Sequence, residues 1–173
     1  SVQCDDLKLS DEDVLGTAHD GLTDILANLT QGRLYIASGA LGVIDLVLAK
    51  LGSWMAERKT GQTPLNEITS LQEKRSEIFI AQTAANAMIA QIAGLDPTNR
   101  ETQALATAAK IYATDQAHWA AYHGAIIHGG SGVVRETAVA RAWVDSMVYI
   151  VGEGSNPTLH YQLGRHLNKH ASL

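Results

Sequence analysis

The sequence predicts an all-α fold: an antiparallel helical bundle with a short strand remnant at its N-terminus. Apolar residues recur in steps of three and four from about Leu22 onward, which is the period of an amphipathic helix. Hydrophobic residues make up 46% of the 173 residues and charged residues only 18%, which is enough apolar surface for one well-filled core. The connections between the periodic segments are short, so neighbouring helices should run antiparallel.

Each element follows from local signals. Residues 1–9 alternate loosely, and we expect one short strand there. No proline occurs from residue 22 to Gly61, so one very long helix is predicted, and its glycines are expected to mark a seam where another helix packs closely. Gly94 should end the second helix, and Asp96-Pro97 should begin the third. The remaining helices are predicted at about residues 66–93, 98–123, 136–145 and 157–168.

Composition excludes several classes of function. The net charge is −5 and no long run of lysine or arginine occurs, so we expect no nucleic-acid binding. The only cysteine is Cys4, which rules out an intrachain disulfide. The richest apolar run, residues 34–48, is interrupted by Gly42 and Asp45, and no membrane span is expected. No metal site is expected.

Two glycine-rich stretches carry polar side chains that could have a function. One is Gly152-Glu153-Gly154, where a carboxylate lies on a backbone that can approach a ligand closely. The other is the run from His128 to Gly132, whose backbone N–H groups could face an anion. Taken alone, Glu153 reads as a solvated loop carboxylate, and the run from His128 reads as a loop.

Taken together, the ordered motifs resemble the acyl-CoA dehydrogenase family. They keep the family's order and constant spacing along essentially the whole chain: Gly32-Arg33, Gly39-Ala40-Leu41-Gly42, Arg58-Lys59-Thr60, Ala109-Lys110-Ile111-Tyr112-Ala113, His128-Gly129-Gly130, Arg141, Asp145 and Glu153-Gly154. The resemblance implies that residues 1–16 are a remnant of the middle β domain with its linker, and that residues 17–173 are the C-terminal helical bundle domain. The family's N-terminal helical domain and most of its β domain would then lie outside this chain. We therefore expect the chain to be a fragment that does not bind FAD tightly by itself.

The family's activity is FAD-dependent α,β-dehydrogenation of an acyl thioester. The resemblance implies that Glu153 is the base that takes the α proton, while the β hydrogen leaves as hydride to FAD. Such a base has to be desolvated, and the thioester oxygen has to be polarised by fixed donors, one of which would be the Glu153 N–H. Arg33, Gly152 and Gly154 are the implied substrate-binding residues.

The resemblance also implies cofactor contacts. Arg58 and Thr60 match residues that contact the FAD of a neighbouring subunit. Gly129 and Gly130 match the backbone that approaches the ADP half, and Ser155 matches a hydroxyl beside the cofactor. An arginine fork and open backbone N–H groups both suit a pyrophosphate.

Two positions bear on the base and its pocket. Some members of the family place the base on the long helix, at the position of Gly32, and glycine cannot serve there. Gly152 stands where a bulky residue, often tyrosine, usually shapes the acyl pocket. Glu153 is therefore the one base in this chain that fits the family pattern.

The implied partners are an acyl-CoA or acyl-carrier thioester and an electron-transfer flavoprotein or similar acceptor. We expect a homo-oligomer (dimer or tetramer), or a hetero-oligomer in which a separate chain supplies the missing domains, in the bacterial cytosol or in a mitochondrial matrix. Two alternatives stay open. One is a non-catalytic helical oligomerisation module, and the other is a flavin monooxygenase or oxidase on the same fold.

Overall fold

A computed structural model describes residues 2–16 and 20–169, with the side chain of residue 23 excepted. Five α-helices account for most of these residues, which confirms the all-α bundle. They are α1 (Gly21–Glu57), α2 (Thr69–Ile92), α3 (Arg100–His128), α4 (Ala138–Val151) and α5 (Asn156–Lys169).

The core lies where α1 crosses α3, with α2 and α4 packed against both. One stripe of α1 is buried along most of its length, and alanines make up half of the buried residues of α3. Small side chains let the two helix axes approach closely, so the long α1 is held by packing rather than by its own helix propensity. The buried stripes are Ala37, Ala40, Ile44, Val47, Leu51 and Met55 on α1, and Ala106, Ala109, Ala113, Ala117, Ala120 and Ala121 on α3.

The apolar character of α1 follows from this position. The segment Asp24–Glu57, which contains an 18-residue window with a mean hydropathy of 1.8, is long and apolar enough by composition to cross a membrane, which the interrupted run 34–48 did not suggest. The same segment supplies the largest share of the bundle core. The core helix of a protein can be as long and as apolar as a membrane-spanning helix, so length and hydropathy alone do not distinguish the two.

The expected N-terminal strand is absent from residues 2–9, which carry no strand in the described structure. A strand needs a partner for its backbone groups, and no described segment lies beside this one. The short strands lie elsewhere. β1 (Lys59–Thr60) and β2 (Thr63–Pro64) form an antiparallel hairpin, with Gly61 at φ +60° in its turn.

Several element ends differ from the predicted ones. The N-cap of α3 is Asn99, whose side chain accepts a hydrogen bond from the Glu101 N–H, whereas Asp96 caps the preceding turn by accepting from Thr98. Helix α3 also runs five residues further than the expected residue 123. The expected break at Gly94 is present as a left-handed residue with φ +87°. Residues 1, 17–19 and 170–173, which the expected domain ranges include, lie outside the described residues.

Candidate active site

Glu153 lies in the tight turn between α4 and α5, in a backbone conformation that is unusual for its residue type. Its φ is +54°, and Asp6 is the other non-glycine residue with positive φ in the described structure. Gly154 follows at φ +102°. A left-handed conformation costs a residue with a Cβ roughly 1–2 kcal/mol, so the surrounding structure has to hold it there.

A buried lysine holds this turn. Lys110 of α3 has no solvent exposure, and its Nζ donates hydrogen bonds to the carbonyl oxygens of Ile150 (2.9 Å) and Gly154 (2.8 Å). A third bond goes to Oδ1 of Asn156, at 2.7 Å. Burial lowers the pKa of Lys110 to about 8, an effect that the nearby Asp115 carboxylate partly opposes.

The Asn156 side chain extends the same network into α3. Its Nδ2 donates to Oγ1 of Thr114 at 2.9 Å and to Oδ1 of Asp115 at 2.7 Å. Asn156 is buried, and it is the first residue of α5. The turn that carries Glu153 is thus tied to the centre of α3 on both of its sides.

The Glu153 carboxylate lies directly over Gly32 of α1. A Cβ added at Gly32 would come within 2.7 Å of both Cδ and Oε2 of Glu153. The absence of a side chain at residue 32 therefore makes room for the carboxylate. Residues 32 and 153 are the two positions at which the sequence analysis considered a base. They lie next to each other in the fold, and only residue 153 carries a carboxylate.

Arg33 lies close to the same carboxylate. Its Nη1 donates to Oγ1 of Thr107 at 2.9 Å, while its buried Nε has no hydrogen-bond partner in the described structure. Burial lowers the pKa of the Arg33 guanidinium, and the Glu153 carboxylate opposes that effect. The pair places one fixed positive charge beside the candidate base.

Glu153 itself is exposed in this chain, contrary to the desolvation expected of a base. Its backbone N–H finds no carbonyl acceptor among the described residues, so it is available to a ligand. Gly152 is partly buried, and a Cβ there would lie 3.2 Å from Cδ1 of Ile36. Ile36 thus already fills the space that a side chain at residue 152 would enter.

The residues matched to cofactor contacts fall into two groups. Arg58, Thr60, Gly129 and Gly130 line one cavity of about 500 Å³ between the hairpin and the end of α3. Ser155 does not line it; its Oγ lies 3.0 Å from Oγ1 of Thr158 at the start of α5. The structure therefore joins four of the five residues and leaves the fifth beside Glu153.

The cavity of Arg58 has an aromatic wall. The rings of Trp54 and His128 stack with centroids 4.7 Å apart, and the Arg58 guanidinium lies 6.0 Å from the Trp54 ring. Burial lowers the pKa of His128, which its bond to the Gly124 carbonyl partly offsets. Added Cβ atoms at Gly129 and Gly130 would meet nothing within 4 Å, so backbone is exposed to the cavity.

The charge of this cavity suits a pyrophosphate. Its lining includes the cations Arg58 and Lys59 and no carboxylate. Arginine forks and open backbone N–H groups are the donors that bind phosphates in proteins. The residues present thus fit the ADP half of FAD.

A second cationic cleft, of about 400 Å³, lies between α1, α3 and α5. Its lining includes Arg33, Arg100, Arg165 and Lys169 and no carboxylate. Arg33 belongs both to this cleft and to the surroundings of Glu153. An anionic group bound in the cleft would therefore lie next to the candidate base.

Lys110 and Asn156 were not identified as site residues from the sequence. A signal for Lys110 was present, because it lies at helical spacing between Ala106 and Ala113 on the buried alanine face of α3. A lysine on such a face needs acceptors inside the fold. No comparable signal marks Asn156, which follows the turn like any polar residue at a helix start.

Comparisons with known proteins agree with this fold and spacing. The profile described as "Acyl-CoA dehydrogenase, C-terminal domain" matches residues 19–167. A Bacillus subtilis protein named probable acyl-CoA dehydrogenase YngJ is 28% identical over 168 residues, which cover 97% of this chain and 44% of that protein. The CarC subunit of the caffeyl-CoA reductase-Etf complex of Acetobacterium woodii is 26% identical over 152 residues, which cover 88% of this chain and 40% of the subunit.

Among solved structures, butyryl-CoA dehydrogenase from Megasphaera elsdenii superposes with a TM-score of 0.87 at 26% identity, over 94% of this chain and 42% of that one. The chain thus spans less than half the length of the relatives it matches. It belongs to the acyl-CoA dehydrogenase family, and the part of the family that it matches is the C-terminal domain.

Proposed function

We propose that this chain is the C-terminal part of an FAD-dependent acyl-CoA dehydrogenase in which Glu153 is the catalytic base. The observation that carries the proposal is the turn at Glu153. Its left-handed backbone is fixed from α3, its N–H is available, and its carboxylate lies over Gly32. Strained backbone held by a buried network is typical of functional sites.

The proposed reaction removes two hydrogens from an acyl thioester. The Glu153 carboxylate takes the α proton, and the C–H electron pair that is left forms the Cα–Cβ double bond. FAD, when bound, accepts the β hydrogen as a hydride. The Glu153 N–H donates to the thioester oxygen, on which negative charge grows as the α proton leaves.

Desolvation of the base comes from outside the described residues. Glu153 is exposed here, so bound substrate and the remaining parts of the protein have to exclude water from it. Gly32 has no side chain that would displace the carboxylate from its place over α1. This assigns water exclusion to the complete protein and base orientation to this chain.

The cationic cleft of Arg33 supports a phosphate-bearing substrate. Coenzyme A and the carrier-protein arm both place phosphates on a pantetheine chain whose thioester is the reacting group. Arg100, Arg165 and Lys169 would face those phosphates, while Arg33 lies between the cleft and Glu153. The substrate class is therefore an acyl-CoA or acyl-carrier thioester.

The residues matched to cofactor contacts lie in two places, around Arg58 and at Ser155. This separation supports an FAD that is shared between two subunits. The cavity of Arg58 and Gly129 would hold the ADP half of an FAD whose flavin ring lies at the Glu153 site of another subunit. Reduced flavin then needs an oxidant. The relative from Acetobacterium woodii is a subunit of an Etf complex, which supports an electron-transfer flavoprotein or similar acceptor here as well.

A second candidate function is an oligomerisation module. It is favoured by the apolar residues that α4 exposes, among them Val144, Val148 and Val151. This function is compatible with the first, because the proposed FAD site needs two subunits. It differs in requiring no activity from Glu153.

The Glu153→Gln variant of the intact protein tests the proposal. With butyryl-CoA, octanoyl-CoA or palmitoyl-CoA as substrate and ferricenium as electron acceptor, we expect the wild type to form the enoyl thioester. The variant should lose at least 100-fold in kcat, because the amide cannot accept the proton. The matched control is Glu136→Gln, an exposed glutamate whose side chain makes no contact with the turn.

Full activity in the Glu153→Gln variant would exclude Glu153 as the base. A wild type that forms no enoyl thioester but carries out oxygen-dependent flavin chemistry would instead favour the monooxygenase alternative. An inactive wild type that still assembles would favour the oligomerisation module.

A further inference from the structure

We propose that Lys110 is a positioning residue for Glu153 and that it acts through the backbone of the turn together with Asn156. The inference rests on the proposed function, in which Glu153 is the base. Lys110 touches neither the carboxylate nor the space above it. Its role is to fix where the carboxylate points.

The geometry of the three bonds carries the proposal. The Lys110 ammonium binds Ile150 three residues before Glu153, Gly154 one residue after it, and Asn156 three residues after it. One side chain thus joins the two ends of the turn. Any change in the φ and ψ angles of Glu153 has to move at least one of these three acceptors.

The bond to Ile150 also supplies a donor to a carbonyl oxygen in the last turn of helix α4. Ile150 lies in the last turn of α4, where carbonyl oxygens lack intrahelical donors and the helix dipole is negative. An ammonium suits this position better than a neutral donor does. The charged groups that face it are Arg33 from α1, Asp115 from α3 and Glu153 from the turn itself.

Stability alone does not account for a lysine at this position. A fully buried ammonium is costly, and apolar side chains of similar volume commonly stabilise a core at least as well. The surrounding face of α3 carries the small side chains of Ala106, Thr107, Ala113 and Thr114, so methionine would fit the path of the lysine chain. Methionine, however, has no N–H groups to donate to the three acceptors of the turn.

Lys110→Met in the intact protein is the test, with Ser146→Ala as its matched control. Ser146 is a fully buried polar residue of α4 that bonds to His118 and to the Trp143 carbonyl, and makes no bond to the turn. Both variants remove buried hydrogen bonds. Only the first removes the connection to Glu153.

We expect Lys110→Met to lower kcat by roughly 10- to 100-fold with little change in KM, since a small displacement of a reacting group is costly in rate. Proton abstraction should then limit turnover, so α-deuterated octanoyl-CoA should show a larger isotope effect on kcat than with the wild type. Ser146→Ala should leave kcat and the isotope effect unchanged. A merely structural lysine would not move the isotope effect.

A second measurement separates this inference from the proposed function. Hydrogen–deuterium exchange followed by mass spectrometry should show faster exchange at the hydrogen-bonded amides that flank the turn, those of Gly152 and Leu159, in Lys110→Met than in the wild type or in Ser146→Ala. Should Lys110→Met fail to fold, Asn156→Ala, which removes one of the three acceptors, should show both effects to a smaller degree.

Unchanged kcat and isotope effect in a folded Lys110→Met protein would overturn the positioning role while leaving Glu153 as the base. Unchanged exchange at the Gly152 and Leu159 amides would overturn it whether or not the protein oxidises thioesters. Absence of activity in the wild type would count against the proposed function alone, and the exchange result would then decide the inference.

Discussion

Glu153 is controlled through its backbone, because its carboxylate has few partners in this chain. The bonds that define its place belong to Ile150, Gly154 and Asn156, and all three lead to Lys110. The carboxylate itself is exposed and lies over the bare Cα of Gly32. Its direction thus depends on the turn and on the free space above α1.

That free space can be removed without changing the turn. In Gly32→Ala the new methyl group would come within 2.7 Å of the Glu153 carboxyl carbon, so the side chain has to swing away. Because the displaced group is the flexible end of an exposed side chain, we expect little loss of stability. Displacement of the base should lower kcat by roughly 10- to 100-fold, measured by steady-state kinetics of the intact protein.

Gly42→Ala is the matched control for this prediction. Gly42 lies in the same helix, is exposed, and has nothing within 4 Å of an added Cβ. Alanine there should raise the free energy of unfolding by about 0.4–1 kcal/mol and leave kcat unchanged. Equal kcat in Gly32→Ala and the wild type would mean that Glu153 adopts another orientation in the working enzyme.

The sequence could single out Glu153 as a candidate base but could not indicate how the structure holds it. A glutamate between two glycines, at family spacing, indicates a base. The connection from Lys110 to Gly154 spans 44 positions and depends on how α3 packs against the turn. No local pattern encodes that distance, so the positioning network became visible only in the folded chain.

At the scale of elements, the helices were predictable because their apolar period is long and their breaks are marked. Gly94 ends α2 as expected, and the long α1 needed only the absence of proline. The ends that differed depend on single side-chain bonds. Asn99 rather than Asp96 caps α3, because the side chain of Asn99 accepts a hydrogen bond from the Glu101 N–H in the first turn of the helix.

The crossing of α1 and α3 was only partly predictable. The sequence reading expected close packing at glycines of α1, and an added Cβ at Gly39 would indeed meet the Tyr149 ring at 2.7 Å. The glycine at the α1–α3 contact, however, is Gly124 of α3, where a Cβ would lie 2.8 Å from Cγ1 of Val47. One sequence cannot show which of two facing helices supplies the small residue.

Gly124→Ala tests this crossing. Both Gly124 and Val47 are buried, so the added methyl group has to push the helices apart or strain the valine. We expect the free energy of unfolding to fall by about 1–3 kcal/mol, measured by urea denaturation with Gly42→Ala as the control. A second substitution, Val47→Ala, should recover part of the loss in the double variant, because it removes the clashing atom. If the double variant is no more stable than Gly124→Ala, the strain does not come from the contact with Val47.

At the scale of the whole molecule, the chain exposes a large amount of apolar surface. Phe79 of α2 is 59% exposed, and the first turns of α1 expose Leu22 and Ile25. An outward-facing strip of α4 comprises Val144, Met147, Val148 and Val151. Surfaces of this kind mark contacts with other subunits or domains.

The N-terminal segment and the exposed base point to the same conclusion. Residues 2–9 have no strand partner in the described structure, and Glu153 has no cover. Both are explained if the functional unit contains more than these residues. The sequence alone could suggest this only through the family resemblance, because local patterns do not show which surfaces a protein covers by assembly.

The α4 strip leads to the last prediction. We expect the wild-type chain to associate at micromolar concentration, because a second copy would cover its exposed apolar strip. The double variant Val144→Lys and Val148→Lys should shift the species measured by light scattering toward the monomer, since a buried, unpaired charge is costly at an interface. Gln91→Lys, at an exposed position of α2 outside the strip, should leave the mass unchanged. A wild type that is already monomeric would contradict the expected association, and a double variant that assembles like the wild type would show that α4 is not the interface.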